Sequence, residues 1–182
     1  MNKKKNIDPL RIAVLVSGGG PNLQALIDAE KAKKLRSGKI SLVISNVPGA
    51  YALTRANENN IPIAVVTKKE CGGSQEIFER KIRELLEDNH IDLIVLAGFM
   101  SILSESFTRA YENRIINVHP SLIPSFCGKG YYGLKVHEAA LAYGVKVTGA
   151  TVHFVNEIPD GGKIILQKAV MVHKNDTPES LQ

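Results

Sequence analysis

Four times in succession a short apolar run gives way to a helical pattern, and this alternation constrains the fold more than any other feature of the chain. The apolar runs are Arg11 to Val16, Ile40 to Ser45, Ile63 to Val66 and Ile91 to Ala97. The first helical pattern starts at Pro21 and puts Leu23, Leu26, Ile27 and Leu35 on one face. The second runs from Ala50 to Asn60. The third, Gln75 to Asp88, follows Gly72-Gly73-Ser74 and turns Ile77, Phe78, Ile82, Leu85 and Leu86 inward. The fourth, Glu105 to Asn113, is capped by Ser104. A fifth apolar run, Ile115 to His119, stops at Pro120, because proline cannot donate to a sheet ladder. Repeated strand–helix units of this kind specify an α/β fold, a doubly wound and mostly parallel sheet. A helix over Leu134 to Tyr143 and two further strands, Lys146 to Val155 and Ile164 to Val172, complete the chain.

At 182 residues the chain is expected to form one domain with a real core, and its 44% apolar and 23% charged residues are those of an ordinary soluble protein. The apolar run behind the basic N-terminus, Ile12 to Val16, is too short for a signal peptide or a membrane span, so a cytoplasmic protein without a membrane partner is expected. Cys71 and Cys127 lack zinc spacing and read as reduced thiols, and no other metal-ligand set is visible. The net charge of +5 gathers in Lys3 to Lys5 and in Lys31, Lys33, Lys34, Arg36 and Lys39. That distribution reads as a tail and a solvated helix end, or as a weak field for small anions. Without an aromatic–basic signature, nucleic acid is not expected as a partner. The sequence carries no signal of oligomeric state.

Three places hold residues suited to chemistry. Ser17-Gly18-Gly19-Gly20-Pro21-Asn22 joins the first strand to a helix, with Pro21 at the first helical position. Strand, glycine loop and helix present backbone N–H groups to a phosphate. Leu23 replaces the third glycine of a dinucleotide fingerprint, and Asn22 the lysine of a P-loop, so a phosphate monoester fits better. A tight turn without a ligand remains the alternative. Asn117 and His119 share one face of their strand, at the carboxyl end where ligands bind in such sheets. An amide and an imidazole there can hold the oxygen of a carbonyl under attack, or simply satisfy neighbouring backbone. Thr151 and His153 share a face of a later strand and would meet the same pocket edge, His153 otherwise being a half-buried, hydrogen-bonded histidine. On spacing alone, Asp160 in Pro159-Asp160-Gly161 is a turn residue.

The glycine loop with Leu23-Gln24, the Asn117-x-His119-Pro120-Ser121-Leu122-Ile123-Pro124 segment and Asp160-Gly161-Gly162 together resemble the glycinamide ribonucleotide formyltransferases. Leu96-Ala97-Gly98-Phe99-Met100 and Thr151-Val152-His153-Phe154-Val155 also look like that family. The resemblance runs from about Arg11 to Val172. It implies a sheet of about seven strands with one late strand antiparallel. It also implies formyl transfer from 10-formyltetrahydrofolate to the amine of glycinamide ribonucleotide, without a metal. By resemblance, Gly19, Gly20, Pro21 and Asn22 would hold the substrate phosphate. The folate would lie along Met100, Ser101, Ile102 and Leu103, near Gln75 and Asn117, and against the loop from Asn156 to Asp160. Asn117, His119 and Asp160 match the catalytic positions, and Thr151 and His153 would assist. An anionic Asp160 beside His119 favours the imidazolium that donates a proton.

The chain departs from the family pattern in four places. Pro21 stands where serine is frequent, which removes an N–H and a hydroxyl. Ser101 and Gln75 stand where an arginine can occur. Asp176-Thr177-Pro178-Glu179 reads as a helix start, and the family continues into a helix there, so the expectation is one domain over 1–182 lacking that C-terminal helix. Two rival activities remain: hydrolysis of 10-formyltetrahydrofolate, and a catalytically silent nucleotide-binding module. A methionyl-tRNA formyltransferase would need a second, basic domain.

Overall fold

Five consecutive buried residues, Ile12 to Val16, run through the first strand, β1 (Leu10–Val16). A strand buried on both faces is what a parallel sheet requires, since crossover helices cover it. In the computed structural model, which describes residues 8–182, β1 pairs in parallel with β2 (Gly38–Ser45) and β4 (Leu93–Leu96). On its other side, β2 pairs in parallel with β3 (Ile63–Val65). Helices α1 (Pro21–Lys31), α2 (Tyr51–Glu58) and α3 (Gln75–Asp88) fall between these strands in sequence. They belong to the first of two compact units, which ends at Phe99. Its core contains Ala13, Val14, Leu15, Val16, Leu23, Phe78 and Ile82.

The second unit, from Met100, contains α4 (Glu105–Ala110), β5 (Ile115–His119), α5 (Leu134–Tyr143), β6 (Val147–Phe154), β7 (Ile164–Met171) and α6 (Pro178–Leu181). Strand β6 pairs antiparallel with both β5 and β7, so it is the one late antiparallel strand. Strand order reads β3-β2-β1-β4-β5-β6-β7 over seven strands. The α/β reading, with a mostly parallel sheet, therefore holds. Phe107, Ile115, Val136 and Ala140 are buried in this unit. Strand β7 is exposed along its length.

Three helices end earlier than their patterns suggest. Helix α1 stops at Lys31, so Leu35 lies outside it. Lys33 there takes a φ of 56°. Helix α2 stops at Glu58 and α4 at Ala110, and Asn60 and Asn113 follow with left-handed φ of 55° and 58°. Asparagine tolerates that conformation better than most residues. The cationic cluster at Lys31, Lys33, Lys34, Arg36 and Lys39 is exposed, with Lys31 in the last turn of α1 where the helix dipole favours it. Lys3 to Lys5 lie outside the described residues.

Helix α3 has the expected bounds but a rotated buried face. Ile77 is exposed, and the charged Glu79 is buried in its place. Ile77 belongs to the polar row with Lys81, Glu84 and Asp88, whereas Glu79 lies beside the Phe78, Ile82 and Leu86 row. Gln75 donates to Glu79 Oε1 at 2.6 Å, one turn away. Ser74 caps the helix through Ile77 N–H. Phe78→Ala should therefore cost about 3–5 kcal/mol. Ile77→Ala should cost less than about 1 kcal/mol. Urea unfolding of the two variants measures both, and equal losses would contradict the assigned face.

Candidate active site

In the first unit, the loop Ser17 to Asn22 leaves the carboxyl end of β1. That strand has β2 on one side and β4 on the other, so the loop lies at a reversal of strand order, the position where open α/β sheets bind ligands. Gly20 caps α1 with a φ of 69°, and a Cβ added there would come within 2.7 Å of Ala52 Cβ. Gly18 and Gly19 differ from it: an added Cβ would meet nothing within 4 Å. Pro21 opens α1, whose first backbone bond runs from Gln24 N–H to Gly20 C=O at 2.9 Å. Behind the loop, Ser17 Oγ donates to Asn46 Oδ1 at 2.6 Å, tying the ends of β1 and β2 together. Gly19, Pro21 and Asn22 are exposed and Gly20 is buried.

In the second unit, antiparallel pairing brings two predicted pairs onto one face. Asn117 stands opposite His153, and His119 opposite Thr151. Directly opposed residues of an antiparallel pair lie on the same side of the sheet. Asp160 joins them from the turn before β7. Its Oδ2 lies 3.4 Å from His119 Nδ1, and its Oδ1 lies 3.6 Å from His153 Nε2. The Gly128 N–H donates to Asp160 Oδ2 at 2.8 Å. Asp160 itself has a φ of 56°, which an aspartate can adopt, and Gly161 N–H closes the turn onto Ile158 C=O. A Cβ on Gly162 would collide with the Phe154 carbonyl, so the turn lies against the end of β6. Asp160 is therefore a turn residue, as its spacing suggests, whose side chain also enters the cluster.

The hydrogen-bond partners fix the roles of the ring nitrogens. His119 Nε2 donates to Phe126 C=O at 2.8 Å, and this ring is only 4% exposed. His153 Nδ1 donates to Phe154 C=O at 2.8 Å. A neutral His153 therefore has its lone pair on Nε2, 3.2 Å from Asn117 Nδ2, and accepts from that amide. A protonated His153 instead turns an N–H toward Asp160. His153 Nε2 thus serves either the amide of Asn117 or the carboxylate of Asp160, according to whether it carries a proton.

Burial pushes the Asp160 carboxyl upward. The contacts with His153, the Gly128 N–H and the charge of His119 outweigh burial and hold it below the usual carboxylate range. Burial pushes the nearby Cys127 thiol up, and Asp160 adds to that shift. Thr151 is fully buried and its hydroxyl is already used. It donates to Ser121 C=O at 2.6 Å and accepts from Ile123 N–H at 3.1 Å and Gln167 Nε2 at 3.0 Å. These bonds hold the chain that follows His119.

Three members of this neighbourhood escape sequence reading. Phe126 and Gly128 act through main-chain groups, which no side-chain pattern encodes. His137 on α5 is 4% exposed, and its Nδ1 is buried without a hydrogen-bond partner. Burial and then the charge of His119 lower its pKa. Its place in the inward row with Val136 and Ala140 is the signal that would have found it. Of the segment expected along the folate, Met100 and Ile102 are exposed, Ser101 is half-buried and Leu103 is buried. Gln75, also expected there, lies in the first unit with its amide on Glu79.

Among the described residues, no group of three or more His, Cys, Asp or Glu could hold a metal, and no helix is long and apolar enough to cross a membrane. The chain is 42% identical over 172 residues to a phosphoribosylglycinamide formyltransferase of Haemophilus influenzae, covering 94% of this chain and 78% of the relative. It is 44% identical over 178 residues to the trifunctional purine biosynthetic protein adenosine-3 of Gallus gallus, covering 98% of this chain but only 17% of that much longer protein. Among solved structures, the glycinamide ribonucleotide transformylase 1 of Symbiobacterium toebii matches with a TM-score of 0.89 at 38% identity, covering 100% of this chain and 82% of that one. The formyl transferase family model matches residues 10–182, which takes in the glycine loop, the Asn117 and His119 strand and the Asp160 turn. With the whole of both groups inside that match, the chain belongs to the formyl transferase family.

Proposed function

We propose that this chain transfers the formyl group of 10-formyltetrahydrofolate to the primary amine of glycinamide ribonucleotide, a step of purine synthesis. The observation that carries the proposal is the grouping of Asn117, His119, His153 and Asp160 on one face, in a chain of this family. The amine lone pair attacks the formyl carbon, and negative charge builds on the formyl oxygen. Asn117 Nδ2–H and the His119 imidazolium donate to that oxygen. His119 Nε2–H already meets a neutral carbonyl, that of Phe126, and a full oxyanion is the stronger acceptor. Asp160 Oδ2, 3.4 Å from His119 Nδ1, is placed to hold the ring in position and to pair with it when it carries the proton. Collapse of the intermediate breaks the bond to the folate nitrogen. The amine has lost a proton and the folate nitrogen gains one, with His119 as the exchanging group. The products are formylglycinamide ribonucleotide and tetrahydrofolate.

The other roles follow the same reading. The N–H groups of Gly19, Gly20 and Asn22 take the substrate phosphate, with Pro21 setting the start of α1. The folate takes Met100 to Leu103, with Asn117 as a polar contact. Thr151 and His153 hold the neighbouring chain and the Asn117 amide.

Tetrahydrofolate appearance, followed with and without glycinamide ribonucleotide, tests the activity. Release only with the ribonucleotide is expected. Release without it would identify a hydrolase, and none in either case would leave a binding module. His119→Ala and Asn117→Ala should each lower kcat by at least ~10²-fold, while calorimetry shows unchanged ribonucleotide affinity. More than about a tenth of the activity in either variant would remove that residue from the reaction.

Asp160 also makes a prediction about stability. Its folded-state pKa is depressed, so its contribution is present above the unfolded carboxyl value and disappears as pH falls through the folded one. Asp160→Asn should be less stable than the parent near neutrality. The gap should close as pH is lowered through and below the ordinary carboxylate range, read as urea midpoints. A gap independent of pH would show that the carboxylate is not favoured by its neighbours.

A further inference from the structure

The phosphate-binding reading leaves a question of charge, because the glycine loop has no lysine and Pro21 removes one of its donors. A cation reaches the loop from α2. Arg55 Nε donates to Gly19 C=O at 2.8 Å, and its Nη1 donates to Gln24 Oε1 at 3.0 Å, in the first turn of α1. Gln24 is held in turn by Asp28, at 2.9 Å. The guanidinium also lies 4.8 Å from the centre of the Tyr51 ring. One turn earlier on α2, Ala52 N–H donates to Gly18 C=O at 3.0 Å. Two successive carbonyls of the loop are therefore turned onto α2.

This arrangement orients the donors. In a planar trans peptide the C=O and the following N–H point in opposite directions. With the Gly18 carbonyl on Ala52 and the Gly19 carbonyl on Arg55, the N–H groups of Gly19 and Gly20 point away from α2. Among the described residues, no group accepts either N–H. The same guanidinium places a positive charge directly behind the loop.

Resting on the phosphate reading above, we propose that Arg55 is the positioning residue of the phosphate loop. Its fork fixes the Gly19–Gly20 peptide with the N–H toward the phosphate monoester, and its charge replaces the lysine that the loop lacks. Lysine at this position would keep the charge but could not span Gly19 and Gln24 with two fixed N–H groups.

The test is an NMR titration of the full chain with inorganic phosphate and with ribose 5-phosphate, followed at the Gly19 and Gly20 amides. The parent should show saturable shifts at both. Arg55→Ala should weaken binding by at least about tenfold, the scale of a lost charged hydrogen bond. In steady state it should raise KM for the ribonucleotide while kcat at saturation changes less than about twofold, the sign of lost uniform binding. Arg55→Lys should fall between the two, and it serves alone if Arg55→Ala does not fold. Parent-like phosphate affinity in Arg55→Ala would overturn the proposal, and parent-like affinity in Arg55→Lys would overturn the fork. If the parent amides do not respond to either probe, the phosphate reading of the loop fails first and the role of Arg55 with it.

Discussion

The polar chemistry of the second unit depends on the register between β5 and β6. Asn117 meets His153 and His119 meets Thr151 only in that register. Because side chains alternate with period two, a slip of one residue would send these groups to the other face. Several contacts hold the pairing in place. Thr151 is bonded to Ser121 and Ile123, which follow β5, and Gln167 on β7 bonds the same threonine. Gly149 lies so close to the Lys168 carbonyl that no side chain fits between them. The strands are aligned by polar bonds and by close approach together.

Within that frame, buried charge is balanced unevenly. Asp160 meets two imidazoles and one backbone N–H, which is how a partly buried carboxylate remains ionised. Thr151 uses both its donor and its acceptor capacity. His137 does neither at Nδ1, and an unpaired buried nitrogen costs stability. The polar groups of this unit are thus graded, from fully satisfied in the scaffold to unsatisfied beside the cluster.

How much of this was legible in the sequence varies by element. Strands came directly from apolar runs, and the shared face of Asn117 and His119 came from period two. The buried face of α3 was misjudged because an isoleucine outweighs a glutamate in any hydrophobic pattern. Tertiary packing nonetheless buries Glu79 and exposes Ile77. Helix ends ran long where asparagine or Lys33 turned the chain left-handed, a choice that apolar spacing does not register. Asp160 looks like any Pro-Asp-Gly turn residue, so only resemblance to a family distinguished it. The contribution of Gly128 and Phe126 is main chain, and the link from Arg55 to the glycine loop spans two helices. Neither leaves a local signature.

The glycines of the first loop are of two kinds. Gly20 has a left-handed φ and Ala52 against it, so the fold alone demands it. Gly18 and Gly19 have ordinary backbone angles and open space around them. Among the described residues, nothing forbids a side chain at either position. A side chain at 18 or 19 would thus spare the packing of the loop and alter only the surface it offers to whatever approaches from outside, whereas one at 20 would disturb the start of α1 itself.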